Sequence, residues 1–157
     1  MTLPTLEQLA QQHQAEILGY LARLLGDLHD AEDISQETWL RAHAALPRLA
    51  PDANRRAWLY RIATNTAFNL LKRRKRERQD QDSQWPPVPG PEERDQWRAV
   101  VQAVENLPPK QRAALMQRQF QGLSYPEIAA ALSCTEAAAR ANVYQAIQRL
   151  RRMLADG

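Results

Sequence analysis

Residues Ser124–Leu154 read SYPEIAAALSCTEAAARANVYQAIQRLRRML and predict two helices joined by a tight turn. Ser124 and Glu127 have the S-x-x-E spacing of a capping box, in which each side chain binds the other residue's backbone N–H at a helix start. Thr135 is the next candidate cap, and the helix after it has inward positions at Ala139, Val143, Ala146 and Leu150. Such a pair is typical of a helix-turn-helix, whose second helix lies in the major groove of DNA.

Helical spacing of apolar residues also runs through the first part of the chain. The apolar positions within residues 6–25 predict a first helix, which Gly26 ends by adopting the left-handed conformation. Asp30 is the predicted N-cap of a second helix, with Asp33 in its first turn, where the helix dipole favours a negative charge. Pro47 stops this second helix.

Three further helices complete the predicted secondary structure. A long third helix buries Leu59 and Leu70 on one face and ends in the basic run KRRKRER, residues 72–78. In the second half, apolar spacing over residues 97–104 marks a helix, and another runs over residues 110–120. No segment has the alternation of a strand, so the sequence predicts an all-α protein.

An acidic, proline-rich run divides the chain. Residues 80–95, DQDSQWPPVPGPEERD, contain four of the ten prolines. Because proline lacks an N–H and fixes its own backbone, we predict a semi-extended, flexible linker without helix. The predicted organisation is a helical domain over residues 1–78, a linker over residues 79–96 and a helix-turn-helix domain over residues 97–157. Their formal net charges are +3, −4 and +4.

Composition argues against a membrane or secreted protein. The longest apolar run, Ile128–Leu132, is far shorter than the about 20 residues that cross a bilayer. Residues 1–6 lack the basic start and apolar core of a signal peptide. The single cysteine, Cys134, excludes an internal disulfide and fits a reducing compartment. We therefore expect a cytoplasmic protein with no membrane partner.

No pattern for catalysis or metal binding appears. A Gly-rich phosphate loop, a nucleophile motif and a paired catalytic group are all missing from the sequence, which predicts a protein that is not an enzyme and has no cofactor. We assign no metal site, because no second ligand cluster accompanies the one helix face that carries His29, Asp33 and Glu37.

Four segments of the chain carry a resemblance to a known family. In chain order they are DAEDISQETW (residues 30–39), AWLYRIATN (residues 57–65), LPPKQRAAL (residues 107–115) and GLSYPEIAAAL (residues 122–132). They resemble the extracytoplasmic-function (ECF) group of bacterial sigma-70 RNA polymerase sigma factors. The first is similar to that family's core-binding helix, commonly DAEDxxQxxF, the second to its promoter-melting helix, and the last two to its second conserved domain. The resemblance implies a protein that binds core RNA polymerase, opens the −10 element and reads the −35 element.

The second helix is implied to bind core polymerase. Its acidic and amide side chains recur three and four residues apart, which gathers several of them on one face that suits a basic partner. A solvated helix face is the alternative interpretation of the same pattern. The residues assigned to polymerase binding are Asp30, Glu32, Asp33, Gln36 and Glu37.

The third helix and the loop before it are implied to bind the −10 element. Basic groups hold phosphates, whereas aromatic faces and amide edges receive unstacked bases of a melted strand. Trp58 also fits a core position, and the loop Arg48–Asn54 lies where the family captures a flipped base. The assigned residues are Arg48, Asn54, Trp58, Tyr60, Arg61, Asn65, Asn69, Lys72, Arg73, Arg74 and Arg76.

The last helix is implied to read the −35 element. Where the family commonly has a GTVKSR-like run, residues 137–142 read AAARAN, so only Arg140 supplies a basic group there. We therefore expect few direct base contacts and more reliance on apolar contact and groove shape. Arg149, Arg151 and Arg152 lie late in the helix, where phosphate contact or a solvated face is expected rather than base readout. The assigned residues are Thr135, Glu136, Ala137, Ala138, Arg140, Ala141, Tyr144 and Gln145.

Two other functions remain open from the sequence. One is a stand-alone helix-turn-helix regulator that binds its operator without polymerase, and the other is a sigma-like adaptor that docks on polymerase without reading DNA. For a sigma factor, the expected partners are core RNA polymerase, double-stranded and single-stranded promoter DNA, and an anti-sigma factor that covers surfaces left exposed when the two domains are separated.

Overall fold

The computed structural model describes residues 3–80 and 92–155, which form seven α-helices and contain no strand. The prediction of an all-α fold is therefore confirmed. None of the described helices is long and apolar enough to cross a membrane. The helices are α1 (Leu6–Leu25), α2 (Leu28–Ala45), α3 (Arg55–Asp80), α4 (Glu92–Glu105), α5 (Pro109–Gln119), α6 (Tyr125–Leu132) and α7 (Glu136–Ala155), and a 3-10 turn, Leu46–Arg48, follows α2.

The start of α2 differs from the prediction. Gly26 ends α1 in the left-handed conformation, as expected, with φ 72°. The next residue, Asp27, is extended and caps α2 by accepting the Asp30 N–H at 3.0 Å. The prediction that Asp30 is the cap was wrong, because the left-handed glycine turns the chain back into a helix immediately and Asp30 falls in the first turn.

The predicted linker is helical at both ends. α3 continues to Asp80, and α4 begins at Glu92, so residues 92–96 are helix rather than linker. The prolines that led to the linker prediction all lie at or before Pro91, and nothing in the EERDQ run after them opposes a helix. The remaining part of the predicted linker, residues 81–91, lies outside the described residues.

The helix-turn-helix forms as its capping residues predict. Ser124 Oγ accepts the Glu127 N–H at 3.3 Å, and Glu127 Oε1 accepts the Ser124 N–H at 3.0 Å, which is the reciprocal capping box at the start of α6. Thr135 Oγ1 accepts the Ala138 N–H at 3.0 Å and caps α7. Between the two helices Ser133 holds the left-handed conformation, with φ 55° and ψ 47°.

The two helical domains pack against each other through one continuous core. α1, α2 and α3 form the first domain, and α4, α5, α6 and α7 form the second. Buried residues of every helix except α4, including Ile17, Ala63, Met116 and Ile128, belong to a single apolar cluster. The expectation that separated domains leave their facing surfaces exposed does not hold in this conformation, because α1 and α3 contact α5 and α6 directly.

The left-handed turn residue gives a stability prediction. A side chain in this conformation costs about 1–2 kcal/mol, whereas glycine adopts it freely but loses more backbone entropy on folding. We expect Ser133→Gly to raise the free energy of unfolding by about 0.5–1 kcal/mol, measured by urea denaturation. Ser133→Ala, which keeps a Cβ, should give no gain. A Ser133→Gly protein no more stable than wild type would contradict this account of the turn.

Candidate nucleic-acid interface

One face of α3 presents an exposed polar and basic stripe. Arg61, Asn65, Asn69 and Lys72 are all exposed, at successive spacings of four, four and three residues, which places them on one side of the helix. The exposed Arg73, Lys75 and Arg76 extend the basic surface toward the end of α3. The stripe offers guanidinium and ammonium groups for phosphates and amide groups for base edges.

Other residues assigned to the same interface are engaged elsewhere in this conformation. Tyr60 is fully buried, and Trp58 is half-buried against the core. Asn54 caps α3 by accepting the Ala57 N–H at 3.0 Å, and its amide donates to Glu127 Oε2 at 3.3 Å. Arg74 pairs with Asp30 at 2.6 Å. The structure therefore brings together only part of the set predicted to bind the −10 element. Arg48, in the 3-10 turn, is exposed.

The acidic residues of α2 line a groove between α1 and α2. Glu32, Asp33 and Gln36 are exposed and border this groove, whose volume is about 600 Å³. Trp39 forms its floor, and the indole N–H of Trp39 is buried without a hydrogen-bond partner among the described residues. Glu37 instead pairs with Arg41 at 2.8 Å. Three of the five residues predicted to bind polymerase thus share one open face.

The amino-terminal half of α7 is open to solvent. Thr135, Glu136, Ala137, Arg140, Ala141, Tyr144 and Gln145 are exposed, and Ala138 is half-buried. The Tyr144 side chain is 65% exposed, which is high for an aromatic residue. Gln145 accepts a hydrogen bond from the Gln111 amide of α5 at 3.2 Å. These positions lie on, or in the case of Thr135 cap, the helix that a helix-turn-helix places in the major groove.

Arg140 is held by two neighbours, one of which the sequence patterns did not reveal. Its guanidinium donates to Glu136 Oε1 at 2.8 Å and stacks over the Tyr125 ring, 4.3 Å from the centroid. Arg118 of α5 stacks on the same ring at 4.2 Å and donates to the Leu123 carbonyl at 3.2 Å. The Glu136 pair has a four-residue spacing visible in the sequence. The Tyr125 contacts join α5, α6 and α7, so no local sequence pattern indicates them.

Comparisons with known proteins decide the family. Residues 9–77 match the family model for Sigma-70 region 2, and residues 97–150 match the model for Sigma-70, region 4. The RNA polymerase sigma-H factor of Pseudomonas aeruginosa is 34% identical over 154 residues, covering 88% of this chain and 80% of that protein. The ECF RNA polymerase sigma factor SigE of Mycolicibacterium smegmatis is 34% identical over 162 residues. The chain belongs to the sigma-70 family, in its ECF group. The SigE match covers 98% of this chain and 63% of the longer SigE.

A solved structure is similar over both domains. CnrH, in complex with the cytosolic domain of CnrY, matches with a TM-score of 0.71 and 26% identity, covering 96% of this chain and 88% of CnrH. The resemblance first seen in four short motifs is thus confirmed over nearly the whole chain.

A buried hydrogen-bonded cluster joins the two domains of the sigma factor. The Gln117 amide of α5 donates to the Tyr20 hydroxyl at 3.0 Å and lies 3.3 Å from Thr64 Oγ1, and the two hydroxyls are 2.7 Å apart. All three residues are at most 1% exposed. Burial raises the pKa of Tyr20 to about 12, so its hydroxyl stays neutral at physiological pH. The cluster fixes α5 against α1 and α3.

A second, partly charged cluster lies at the edge of the same contact. Arg56 of α3 donates to Glu16 Oε1 at 2.9 Å and to the Gln121 carbonyl at 2.7 Å, and lies 3.7 Å from Glu127 Oε2. The Tyr60 hydroxyl donates to Glu16 Oε1 at 2.8 Å and accepts from the Gln121 amide at 2.8 Å. Sequence analysis missed these contacts because the two partners of each are at least 40 residues apart.

The carboxylates of this cluster stay ionised. Burial by itself raises the pKa of Glu16, but hydrogen bonds from His13, Tyr60 and Arg56 outweigh it and leave the pKa below 4.5. Burial also opposes ionisation of Glu127, yet hydrogen bonds from Ser124 and Asn54 and the charge of Arg56 lower its pKa. Both groups therefore contribute stability above pH 4.5 that is lost as the pH falls through the lowered values.

Arg112 of the second domain bonds to the carboxyl-terminal end of α1. This buried side chain of α5 donates to the Leu24 carbonyl at 2.8 Å and to the Glu105 carbonyl at 2.7 Å. The Leu24 carbonyl lies in the last turn of α1, where unsatisfied carbonyls and the helix dipole favour a cation. The LPPKQRAAL motif thus supplies a group that holds the two domains together.

The charge of Glu16 gives a pH-dependent prediction. Glu16→Gln should lower the free energy of unfolding by about 1–2 kcal/mol at pH 7, because hydrogen bonds to a charged acceptor are lost. The difference from wild type should shrink at acidic pH, as the pH falls through the lowered pKa of Glu16 and the wild-type carboxylate also becomes protonated. Urea denaturation of both proteins between pH 7 and pH 3 measures this difference in the free energy of unfolding. Glu7→Gln, at an exposed position of α1, is the matched control, and a pH-independent Glu16→Gln difference would contradict the assignment.

Proposed function

We propose that this ECF sigma factor binds core RNA polymerase and directs it to promoters by opening the −10 element and reading the −35 element. The exposed stripe of Arg61, Asn65, Asn69 and Lys72 on α3 is the observation that carries the proposal. It combines phosphate-binding cations with amide groups at helical spacing, inside the match to Sigma-70 region 2. The polymerase performs the chemistry, and the sigma factor supplies binding.

The open face of α2 is the proposed polymerase contact. Glu32, Asp33 and Gln36 border the groove above Trp39, so a basic helix of the polymerase could place its cations against these carboxylates. The Asp30–Arg74 pair connects this helix to α3, and Arg74 therefore serves to position the two helices as well as to contribute basic charge. Binding of the polymerase implies action in the cytoplasm, where the polymerase works.

The proposed −35 reader is the amino-terminal half of α7. Its small side chains permit close approach of the helix backbone to the base edges, and Tyr144 offers an exposed aromatic face. Arg140 is the single basic side chain among residues 136–145, and Tyr125 and Glu136 fix its guanidinium. We therefore propose that −35 affinity is weak without polymerase and depends strongly on Arg140.

We also propose regulation by an anti-sigma factor. CnrH, which is similar over both domains, was solved as a complex with the cytosolic domain of CnrY. A partner of this class would cover surfaces on both domains of the present chain, including the open faces of α2 and α3.

The stripe on α3 gives a direct test of the function. Arg61→Ala combined with Asn65→Ala should lower promoter-specific transcription with core polymerase at least about fivefold, because each lost DNA contact costs about 1–3 kcal/mol. Binding to core polymerase, measured by fluorescence anisotropy, should be unchanged. Arg98→Ala, an exposed arginine of α4, is the control. Full transcription by the double variant would contradict a DNA-binding role for the stripe.

A gel-shift assay distinguishes the function of a sigma factor from that of a stand-alone regulator. The chain alone should bind promoter DNA weakly, and core polymerase should strengthen binding, because the sigma domains make only part of the contacts. Tight sequence-specific binding by the chain alone would favour the regulator. Promoter-independent docking on polymerase would favour the adaptor.

The Tyr125 stack gives a separate prediction about Arg140. Tyr125→Ala should reduce −35-dependent transcription by a few fold, since a cation–π contact at an exposed site contributes about 0.5–1 kcal/mol. Tyr125→Phe keeps the ring and should behave like wild type. In the Arg140→Ala background, Tyr125→Ala should have little further effect, because the group it positions is already gone. Additive losses in the double variant would show that Tyr125 acts independently of Arg140.

A further inference from the structure

We propose that a groove between α4 and α5 binds a single-chain carboxylate of the medium-chain fatty-acid class, whose acid group bonds to Arg112 and whose chain lies on the apolar walls. This α4–α5 groove is separate from the faces of α2 and α3 and from the amino-terminal half of α7 on which the proposed function rests. The inference therefore goes beyond that function and does not depend on it.

The α4–α5 groove is large and mainly apolar. Because α4 packs mainly on α7, a cavity of about 790 Å³ remains between α4, α5 and the end of α1. Its apolar walls come from Val100, Val104, Leu115, Met116 and Phe120. Pockets that bind small molecules usually have volumes of about 300–1,000 Å³, mainly apolar walls and a few polar groups that orient the ligand. The α4–α5 groove has the volume and the lining of such a pocket.

Part of the apolar wall is exposed to solvent. The Phe120 side chain is 58% exposed, and Val100 and Val101 of α4 are also exposed. Leu28, the first residue of α2, lines the same groove and is exposed as well. Contact between water and apolar surface is unfavourable, and contiguous exposed apolar patches often mark binding sites. An apolar ligand chain in the α4–α5 groove would remove this surface from water.

A buried cation without an anionic partner lines the groove. Arg112 is 9% exposed, and its terminal nitrogens donate to the Leu24 and Glu105 carbonyls. Among the described residues, its Nε has no hydrogen-bond partner and its guanidinium forms no ion pair. Buried arginines are rare unless they are paired, because an uncompensated buried charge is costly. A carboxylate in the groove would supply the missing partner.

Two acidic residues at the groove restrict the charge of the ligand. Asp27 and Glu105 both line it, but Asp27 caps α2 and the Glu105 side chain is exposed to solvent. Burial lowers the pKa of Arg112, and the charge of Glu105 opposes this effect only in part. A ligand with one negative charge can pair with Arg112, whereas further negative charges would be repelled by the two carboxylates. The groove therefore favours a monoanion.

The length of the groove indicates the length of the ligand chain. Arg112 and Phe120 are eight residues apart on α5, which is about 12 Å along a helix. An extended chain advances about 1.2 Å per bond, so about ten bonds span this distance. Decanoate, which combines a chain of this length with one carboxylate, is therefore the probe that fits the site.

Calorimetric titration of the full chain with decanoate, below the concentration at which it forms micelles, tests the site. We expect one molecule to bind with a Kd on the order of tens of micromolar, as is usual for a ligand of this size. Decanol should bind at least about tenfold more weakly, because it lacks the charge that pairs with Arg112. Propionate, which has the charge without the chain, should not bind measurably. Failure of decanoate to bind, or equal binding of decanoate and decanol, would overturn the proposal.

Arg112→Met separates a ligand contact from a structural role of this residue. The variant removes the charge but keeps a long unbranched side chain. It should weaken decanoate binding at least about tenfold and leave decanol binding within about twofold, because only decanoate uses the charge. A structural role alone would change the binding of both ligands by the same factor, and that result would overturn the assignment of Arg112.

Val100→Glu tests the apolar wall in a chain that keeps Arg112, so it decides the question even if Arg112→Met does not fold. The new carboxylate should weaken decanoate binding at least about tenfold, since it repels the ligand's acid group and interrupts the apolar surface. Ala99→Glu adds the same charge at the neighbouring exposed position, which does not line the groove, and should bind decanoate like wild type. Equal decanoate affinity in Val100→Glu and wild type would contradict the proposed site.

Sedimentation equilibrium tests the alternative that a second copy of the chain covers the groove. We expect a monomer at the concentrations of the titration, with or without decanoate. A wild-type dimer that Val100→Glu dissociates and decanoate does not would overturn the proposal in favour of an interface between two copies.

Discussion

The hydrogen bonds from Gln117 to Tyr20 and Thr64 fix the arrangement of the whole chain. These three buried groups lie on α5, α1 and α3, so they determine how the second domain sits on the first. A buried polar group without a partner costs about 1–3 kcal/mol, which makes this arrangement specific: shifting α5 along α1 would leave the buried Gln117 amide without its two hydroxyl partners. The Arg56 and Arg112 contacts then follow at either end of the same surface.

This packing separates the proposed functional surfaces into two groups. The acidic face of α2, the α3 stripe and the amino-terminal half of α7 remain open, whereas Asn54 and Tyr60 are bound to the second domain. The proposed polymerase contact is therefore available in this conformation, whereas the proposed −10 interface is only partly available. A ligand that binds one arrangement of the two domains more strongly than another shifts the population toward it.

Local sequence patterns predicted the helices and most of their ends. The Ser124–Glu127 capping box, Gly26 and Thr135 make contacts within three or four residues, so their chemistry is visible in the sequence. The cap of α2 was assigned to Asp30 instead of Asp27, because both are good capping residues and only the left-handed Gly26 decides between them. The helical residues 92–96 were missed because the nearby prolines dominated the composition of the run.

The contacts between the domains could not be predicted in this way. Gln117, Gln121 and Arg112 look like ordinary polar positions of α5 and its loop, and their partners lie 53 to 105 residues away. Tyr60 was assigned to the melted strand because it shares a segment with Arg61 and Asn65. Its burial depends on Glu16 and Gln121, which no spacing rule connects to it. The α3 stripe was predictable, since it needs only one helix.

The distance between the domains, measured with and without polymerase and promoter, tests the account most directly. Fluorophores at His43→Cys on α2 and Arg151→Cys on α7, both exposed positions, report it by single-molecule energy transfer in a Cys134→Ala background. The account predicts high transfer in the free chain, because a compact chain of this length is about 40 Å across, and lower transfer on promoter complexes, because elements centred at −10 and −35 are about 25 base pairs, roughly 80 Å, apart. Equal, low transfer in the free chain and the complex would contradict it.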